Sequence, residues 1–502
     1  MGKNVIIKSA STSVIQIIVS SATLIILYRI LIKFIGIEQF GVWSLVLATT
    51  SMAQLASMGM TGGIVKYVAK YSAIDENKKL ALLLETATTS VAVIFLVILL
   101  IVYPCARQYL KYALQGDLFQ SALSILPHAL IAYWIAMLTS IFQAGLYGCQ
   151  LITYRNYLLI AESVTFLAIC YFFVGPYGLI GLAYARVVQN FISMAASFVI
   201  LKRHIPILPL FPCRWDRDIF REIIGYSMNF QIISILAILC DPVTKGFLSR
   251  FGSPSMVGYY EMANRLVQQV RSLIVNANQV LVPTFAQLNE LEPEKIRRVY
   301  LKSYQLLFFI SLPVFSALII SAPLISELWI GKNESTFIAS MIILSLGWFF
   351  NTLCVPAYFV GLGTGKMRWN VISHAVMATI NLGLCLIVGK PFGGMGVIAG
   401  WAVALSVGGI ILNISFQKLN QLSMKEFLPS NSRWLTASCL SGILISYLMF
   451  QTASSIFSPI MIGGAMITCF AGILAVPIWI HPMRKELMEW LSGLRRKSAV
   501  AQ

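Results

Sequence analysis

Long apolar runs, each ended by a short polar or Pro/Gly-rich gap, follow one another from residue 9 to residue 480. A bilayer core about 30 Å thick takes roughly 20 residues of helix, and runs of that length predict fourteen spans. Their limits are 9–35, 40–69, 81–103, 121–148, 158–175, 178–201, 222–248, 257–288, 299–321, 335–362, 370–389, 394–416, 434–451 and 459–480. The predicted fold is all-α, a polytopic membrane protein. The first run is longer than the roughly 7–15 apolar residues of a signal-peptide core, so it is expected to stay as a helix.

Composition excludes the alternative that length alone suggests, a string of soluble domains. Of 502 residues, 58% are hydrophobic and 11% charged, against about 25% charged in soluble chains. Lys and Arg number 37 against 19 Asp and Glu, a formal charge of +18. These cations form no nucleic-acid face but sit in the gaps between spans. With the N-terminus in the cytoplasm, 26 of the 37 fall inside, six outside and five within spans, which orients the chain with both termini cytoplasmic. The basic tail 481–502, with Trp490 and Leu491 among its cations, is expected to touch anionic lipid.

A repeat of about 215 residues organises the spans. Lys33-Phe34 and Gly41-Val42-Trp43 match Arg250-Phe251 and Gly258-Tyr259-Tyr260 at an offset of 217. Gly145-Leu146 matches Gly361-Leu362 at 216, and Pro176-Tyr-Gly-Leu-Ile-Gly181 matches Pro391-Phe-Gly-Gly-Met-Gly396 at 215. Six helices per copy is an even number, so both copies enter the membrane in the same sense, as two lobes in parallel pseudo-repeat. The expected division is an N-lobe at 1–203, a basic cytoplasmic linker at 204–221, a C-lobe at 222–418, two further helices within 419–480, and the tail.

No enzyme signature survives. Gly361-Leu-Gly-Thr-Gly-Lys366 has the wrong glycine spacing for a phosphate loop, and Met367 stands where Ser or Thr is required. The four histidines lack ligand spacing, and the nine cysteines form no C-x-x-C pair. No metal or other cofactor is expected.

Ionisable groups inside spans are the informative residues, because each costs roughly 2.5–3.5 kcal/mol at the bilayer centre unless it faces protein or water. The eighth span concentrates them. At 100° per residue, Asn264, Gln268, Arg271 and Asn278 lie within about 40° of one direction, and Glu261, Arg265, Gln269, Ser272, Asn276 and Gln279 within the next sector. Such a face cannot meet lipid and is expected to line a hydrated cavity. Glu261 and Arg265 pair at i, i+4; Arg271 has no partner in its own helix and is the leading candidate for gripping an anion.

Asp241 and Lys245 make a second i, i+4 pair beside Pro242, where the helix is expected to bend. With Glu261 they are the candidates for ion coupling. Arg186, followed by Gln189 and Asn190, is a further cavity candidate. Arg29 ends the first span and is kept as a candidate, although snorkelling to the interface also accounts for it. Ser9, Ser13, Gln16 and Ser20 form a polar stripe earlier in that span.

Gly36-Ile-Glu-Gln-Phe-Gly-Val-Trp-Ser-Leu45 with Met58-Gly-Met-Thr-Gly-Gly-Ile-Val-Lys-Tyr-Val-Ala-Lys-Tyr71 resembles the first helix pair of bacterial polysaccharide and O-antigen flippases of the multidrug/oligosaccharidyl-lipid/polysaccharide exporter superfamily. Val257-Gly-Tyr-Tyr-Glu-Met-Ala263 with Leu281-Val-Pro-Thr-Phe-Ala286 resembles the same pair in the second lobe. The resemblance implies that an undecaprenyl-diphosphate-linked oligosaccharide is carried across the cytoplasmic (inner) membrane by alternating access, with a cationic cavity for diphosphate and sugar. It also implies polysaccharide polymerase and assembly proteins as partners, and no nucleic acid. The chain departs from the lipid II flippases in lacking a mid-membrane arginine in its first span.

The competing reading in the same architecture is a cation-coupled drug or metabolite exporter, which is expected to carry acids in its first-lobe cavity. The first two spans hold none within the membrane. A non-transporting scaffold for glycan assembly leaves the polar eighth span unexplained.

Overall fold

The computed structural model describes residues 3–52, 60–227, 231–423, 426–429, 431–453, 458–484, 486 and 488. The side chains of Lys3, Lys8 and Ser9, the Met58-Gly59 step, Lys425, and the tail residues Lys485, Trp490, Leu491, Arg495, Arg496 and Lys497 lie outside the described residues. Among those described there are sixteen helices and no strand. They are α1 (Lys3–Met52), α2 (Met60–Ala73), α3 (Asn77–Ala113), α4 (Gly116–Gly148), α5 (Ile152–His204), α6 (Arg217–Ser227), α7 (Gln231–Phe251) and α8 (Pro254–Asn278). Then follow α9 (Leu281–Leu291), α10 (Lys295–Ile330), α11 (Ser335–Thr352), α12 (Val355–Thr364), α13 (Arg368–Ile387), α14 (Gly389–Leu419), α15 (Ser432–Ala453) and α16 (Pro459–Ile480).

The protein is thus a polytopic all-α membrane protein, and the predicted spans fall on these helices with four corrections, the first being that the tenth span is two helices, α11 and α12, parted by a turn at residues 353–354. α1 and α5 each break once, at Gly36 and Gly178, where φ is +77° and +57°, and so each serves two spans. The eighth span is not one helix, because a turn at residues 279–280 separates α8 from α9. The seventh starts later than residue 222, since residues 217–227 form the separate short helix α6. Among the described residues ten helices are long and apolar enough to cross a membrane, and α8 is not one of them; its polar sectors remove it.

The chain divides into two compact units, Met1–Gly258 and Tyr259–Gln502. In the first, α2, α3, α4 and α5 enclose Ile64, Leu84, Phe95, Ile141 and Leu201, and α7 packs on α1 and α3. In the second, Phe285, Tyr300, Val360 and Phe427 form one cluster. A second cluster joins α10 to α15 and α16 through Phe309, Phe470 and Leu474, so the last two helices dock on α10. In lipid the hydrophobic effect does not drive helices together, and close approach over small residues replaces it. Gly145 and Gly148 of α4 serve this way: an added Cβ would lie 2.9 Å from Leu201 and 2.6 Å from Val68.

The repeat recurs in backbone conformation within each unit. The left-handed residues Gly116, Gln150 and Gly178 have counterparts in Gly331, Gly365 and Gly393, each 215 positions on. Gly181 and Gly396 share a contact as well. A Cβ on Gly181 would stand 2.2 Å from the Phe173 carbonyl oxygen, and one on Gly396 2.5 Å from that of Val388.

The stretch read as a linker is fastened down. Side chains on α3 meet residues 212–216 in register: Glu85 accepts the Arg214 N–H at 3.3 Å, and Thr86 accepts that of Asp216 at 3.2 Å. Ser90 accepts the Trp215 indole N–H at 3.0 Å, and Thr89 donates to the Pro212 carbonyl at 3.2 Å. Asp216 then caps α6, accepting the N–H groups of Asp218 and Ile219. Tyr71 of α2 donates to Glu222 of α6 at 2.9 Å; burial, then that bond and the carboxylate charge, push its phenol up to about 12. Replacing Glu85 and Ser90 together by Ala should therefore expose the Arg214 and Arg217 bonds to trypsin in detergent-solubilised protein. Cleavage as slow as in the wild type would mean the strap holds without them.

Candidate functional site

The two polar sectors of α8 have different surroundings. Asn264 is buried at 4% exposure, accepting from the Gln268 amide at 3.2 Å and from the Trp348 indole N–H at 3.0 Å. Arg271 donates through Nη2 to Asn351 Oδ1 at 3.0 Å, and its guanidinium lies 4.7 Å from the centre of the Trp348 ring. Asn351 in turn donates to the Leu405 carbonyl at 3.3 Å, and Trp401 closes edge-on to Trp348, ring centres 6.2 Å apart. This sector is packed against α11, which is itself backed by α14.

Magnitudes rank the two arginines. A hydrogen bond from a charged group contributes about 1.5–3 kcal/mol and a desolvated cation–π contact about 2 kcal/mol. Together they offset the roughly 2.5–3.5 kcal/mol insertion cost of an arginine. Arg271 is thus held by α11 without an anion, although its Nε has no hydrogen-bond partner among the described residues. It is packed against Asn351 and Trp348 and keeps that one buried donor unused among the described residues.

Arg265 belongs to the other sector, which is open. Its side chain is 49% exposed, and Nε donates to Glu261 Oε1 at 2.6 Å, with Glu261 5% exposed behind it. Asn276 and Gln279 are exposed and Gln269 and Ser272 half-buried on the same side. Asn278 instead turns back to its own helix, donating to the Ile274 carbonyl. The open sector offers a cation and several amides, which both donate and accept.

The remaining candidates lie in the first unit. Arg186 donates to Gln189 at 3.0 Å and covers the Phe166 ring at 4.9 Å; Asn190 donates to the Ala132 carbonyl at 2.6 Å. Arg29 is exposed. Lys245 is buried and pairs with Asp241 at 2.8 Å. Through Pro242 α7 runs on without a break, and the Pro242 carbonyl accepts the Tyr109 hydroxyl at 2.7 Å. The polar stripe of α1 finds partners on α5: Asn156 donates to Thr12 and Ser13, and Ser20 meets Ser163 at 3.0 Å.

The glycine run before Lys366 is not a loop around phosphate. Gly361 and Gly363 lie in α12 because Asn370 and the Val282 carbonyl crowd them, each 2.7 Å from an added Cβ. Gly365 ends that helix at φ +74°.

Sequence reading missed Trp348 and Asn351, which touch α8 from far along the chain, and Trp401, which packs on Trp348. It also missed Glu162, a half-buried acid inside the fifth span. Its signal was plain, a lone carboxylate in an apolar run.

The family model described as Polysaccharide biosynthesis protein matches residues 1–289. A protein of Shigella flexneri named as an O-antigen transporter is 19% identical over 400 residues, 78% of this chain and 92% of that one. Among solved structures, an inward-facing MATE-family multidrug resistance transporter superposes with TM-score 0.70 at 14% identity, over 81% of this chain and 99% of that one. The lipid II flippase MurJ, inward closed, gives 0.64 at 14% identity over 93% and 98%. A multidrug/oligosaccharidyl-lipid/polysaccharide superfamily transporter from Pyrococcus furiosus gives 0.61 at 13% identity over 84% and 96%. At these identities the structures establish the fold that the chain shares.

Proposed function

The chain belongs to the polysaccharide biosynthesis protein family, and from that premise we propose that it is a flippase moving an undecaprenyl-diphosphate-linked oligosaccharide between the leaflets of the inner membrane by alternating access. The O-antigen transporter of Shigella flexneri supports a glycan cargo. The observation that carries the reading is the open sector of α8. Sugar hydroxyls donate and accept at once, and Gln269, Asn276 and Gln279 offer both functions where lipid cannot cover them. Arg265 stands among them to meet the diphosphate. The N-lobe and C-lobe division, cytoplasmic termini, and polymerase and assembly partners belong to this proposal.

Two of the acids inside spans suit an anionic cargo better than cation coupling, because Asp241 and Glu261 are each held by a cation one turn on. Glu162 favours the second reading, a cation-coupled small-molecule exporter, since it makes no ion pair or hydrogen bond among the described residues.

One strain separates the readings. A deletion mutant should accumulate lipid-linked glycan on the inner leaflet, measured by leaflet-specific labelling, and a plasmid copy should reverse it. The Glu162→Gln copy should restore translocation to within about twofold of wild type, as for a group outside the transport step. Normal glycan with raised sensitivity to cationic compounds would overturn the flippase reading and favour the exporter.

A further inference from the structure

A cavity of 410 Å³ opens in the second unit between α12, α13 and α14 and the α9–α10 turn. Lys366, Arg368, Trp369, Asn289, Thr364, Asn370 and Asn420 line it, above an apolar floor that includes Ile296, Val360 and Phe416. Among the described residues none of the lining side chains is a carboxylate, and Glu290 stands beside the rim, accepting from the Asn289 amide at 3.1 Å. Lys366 and Arg368 are exposed and make no ion pair among the described residues. Their neighbours differ: Lys295 pairs with Glu292, Arg297 with Glu426 at 2.7 Å, and Lys302 with Glu486 at 2.9 Å. Cations placed only to orient the chain need no cavity and are served by any polar gap.

The repeat supplies an internal comparison. The matching turn of the first unit reads Gln150-Leu-Ile-Thr-Tyr-Arg-Asn156, with one basic residue, Arg155, lying over the Tyr147 ring at 5.6 Å. The backbone is kept, left-handed at Gln150 and at Gly365, and Lys366 stands where the first copy has Leu151, so the second copy carries two cations at this turn against one. The N–H groups opening α13 also lack a side-chain cap, and such groups add to the pull on an anion.

We propose that this cavity is a docking site for the diphosphate headgroup of a prenyl lipid, separate from the polar face of α8. Lys366 and Arg368 grip the phosphate oxygens, and the apolar floor takes the first carbons of the prenyl chain. The choice of a prenyl chain rests on the flippase reading; the anion rests on the cavity alone.

The test is equilibrium binding of radiolabelled farnesyl diphosphate to the full chain in phosphatidylcholine nanodiscs, with inorganic pyrophosphate as competitor. Lys366→Gln with Arg368→Gln should weaken binding at least about tenfold, since two charge-assisted contacts are lost. Arg298→Gln, an exposed cation outside the lining, should leave it unchanged. Equal binding by the double variant overturns the site. Pyrophosphate competing as tightly as farnesyl diphosphate binds overturns the lipid assignment. Binding is read without transport, so a protein that binds here while its deletion leaves glycan translocation normal keeps this site and loses the flippase reading.

Discussion

The double variant Glu261→Gln with Arg265→Gln should lose export of lipid-linked glycan while keeping wild-type abundance in the membrane. The pair must be removed together. Glu261 is 5% exposed and held by Arg265 Nε at 2.6 Å, so removing Arg265 alone takes a charged partner from a buried carboxylate, which is destabilising. Arg265→Ala alone would lower the amount of folded protein, and its lost export would say little. Replacing both by Gln removes the two charges together and keeps hydrogen-bonding groups, so no lone charge is left buried. Export lost at constant abundance then reports on the cargo. Arg271→Ala should behave in the opposite way, lowering abundance and melting temperature, since Asn351 and Trp348 lose the group they surround. Normal export by the double variant would take Arg265 out of the mechanism.

The different surroundings of these arginines mark the limit of reading one helix at a time. Helical periodicity placed Asn264, Gln268 and Arg271 on one sector and Arg265, Gln269 and Asn276 on the next, and the structure keeps both sectors. Periodicity cannot say which sector a neighbour covers. Asn351 lies 80 residues beyond Arg271, and nothing local to α8 announces it. The strap over α3 has the same character, since Glu85 and Arg214 are 129 residues apart. Span positions were legible because a bilayer imposes length and polarity directly on the chain. The repeat was legible through its glycines, but Gln150 was passed over: its left-handed backbone, φ +60°, is invisible where the residue is not Gly. Glu162 was lost for a simpler reason, one acid averaged into an apolar window.

Gly41→Ala should have the largest effect on stability of any small substitution in the first unit. A Cβ there would stand 1.8 Å from the Pro254 carbonyl oxygen and 2.7 Å from its carbon. The obstacle is backbone, so no rotamer change relieves it, and the two segments must separate by more than an ångström. Overpacking of ordinary cores costs about 1–3 kcal/mol and occasionally more; a backbone clash belongs at the upper end. The contact is reciprocal. A Cβ on Gly258 would lie 2.7 Å from the Ile37 carbonyl oxygen, and both Gly41 with Gly258 and Ile37 with Pro254 are matched by the 217-residue offset. Gly258→Ala is therefore expected to act like Gly41→Ala. Gly62→Ala is the control, since nothing lies within 4 Å of its added Cβ, and in a helix Ala is favoured over Gly by about 1 kcal/mol. Membrane abundance and melting temperature in detergent read all three. A Gly41→Ala protein as stable as the wild type would mean that the segments tolerate separation. Where lipid supplies no hydrophobic drive between helices, each ångström of separation gives up dispersion contacts that no solvent term replaces.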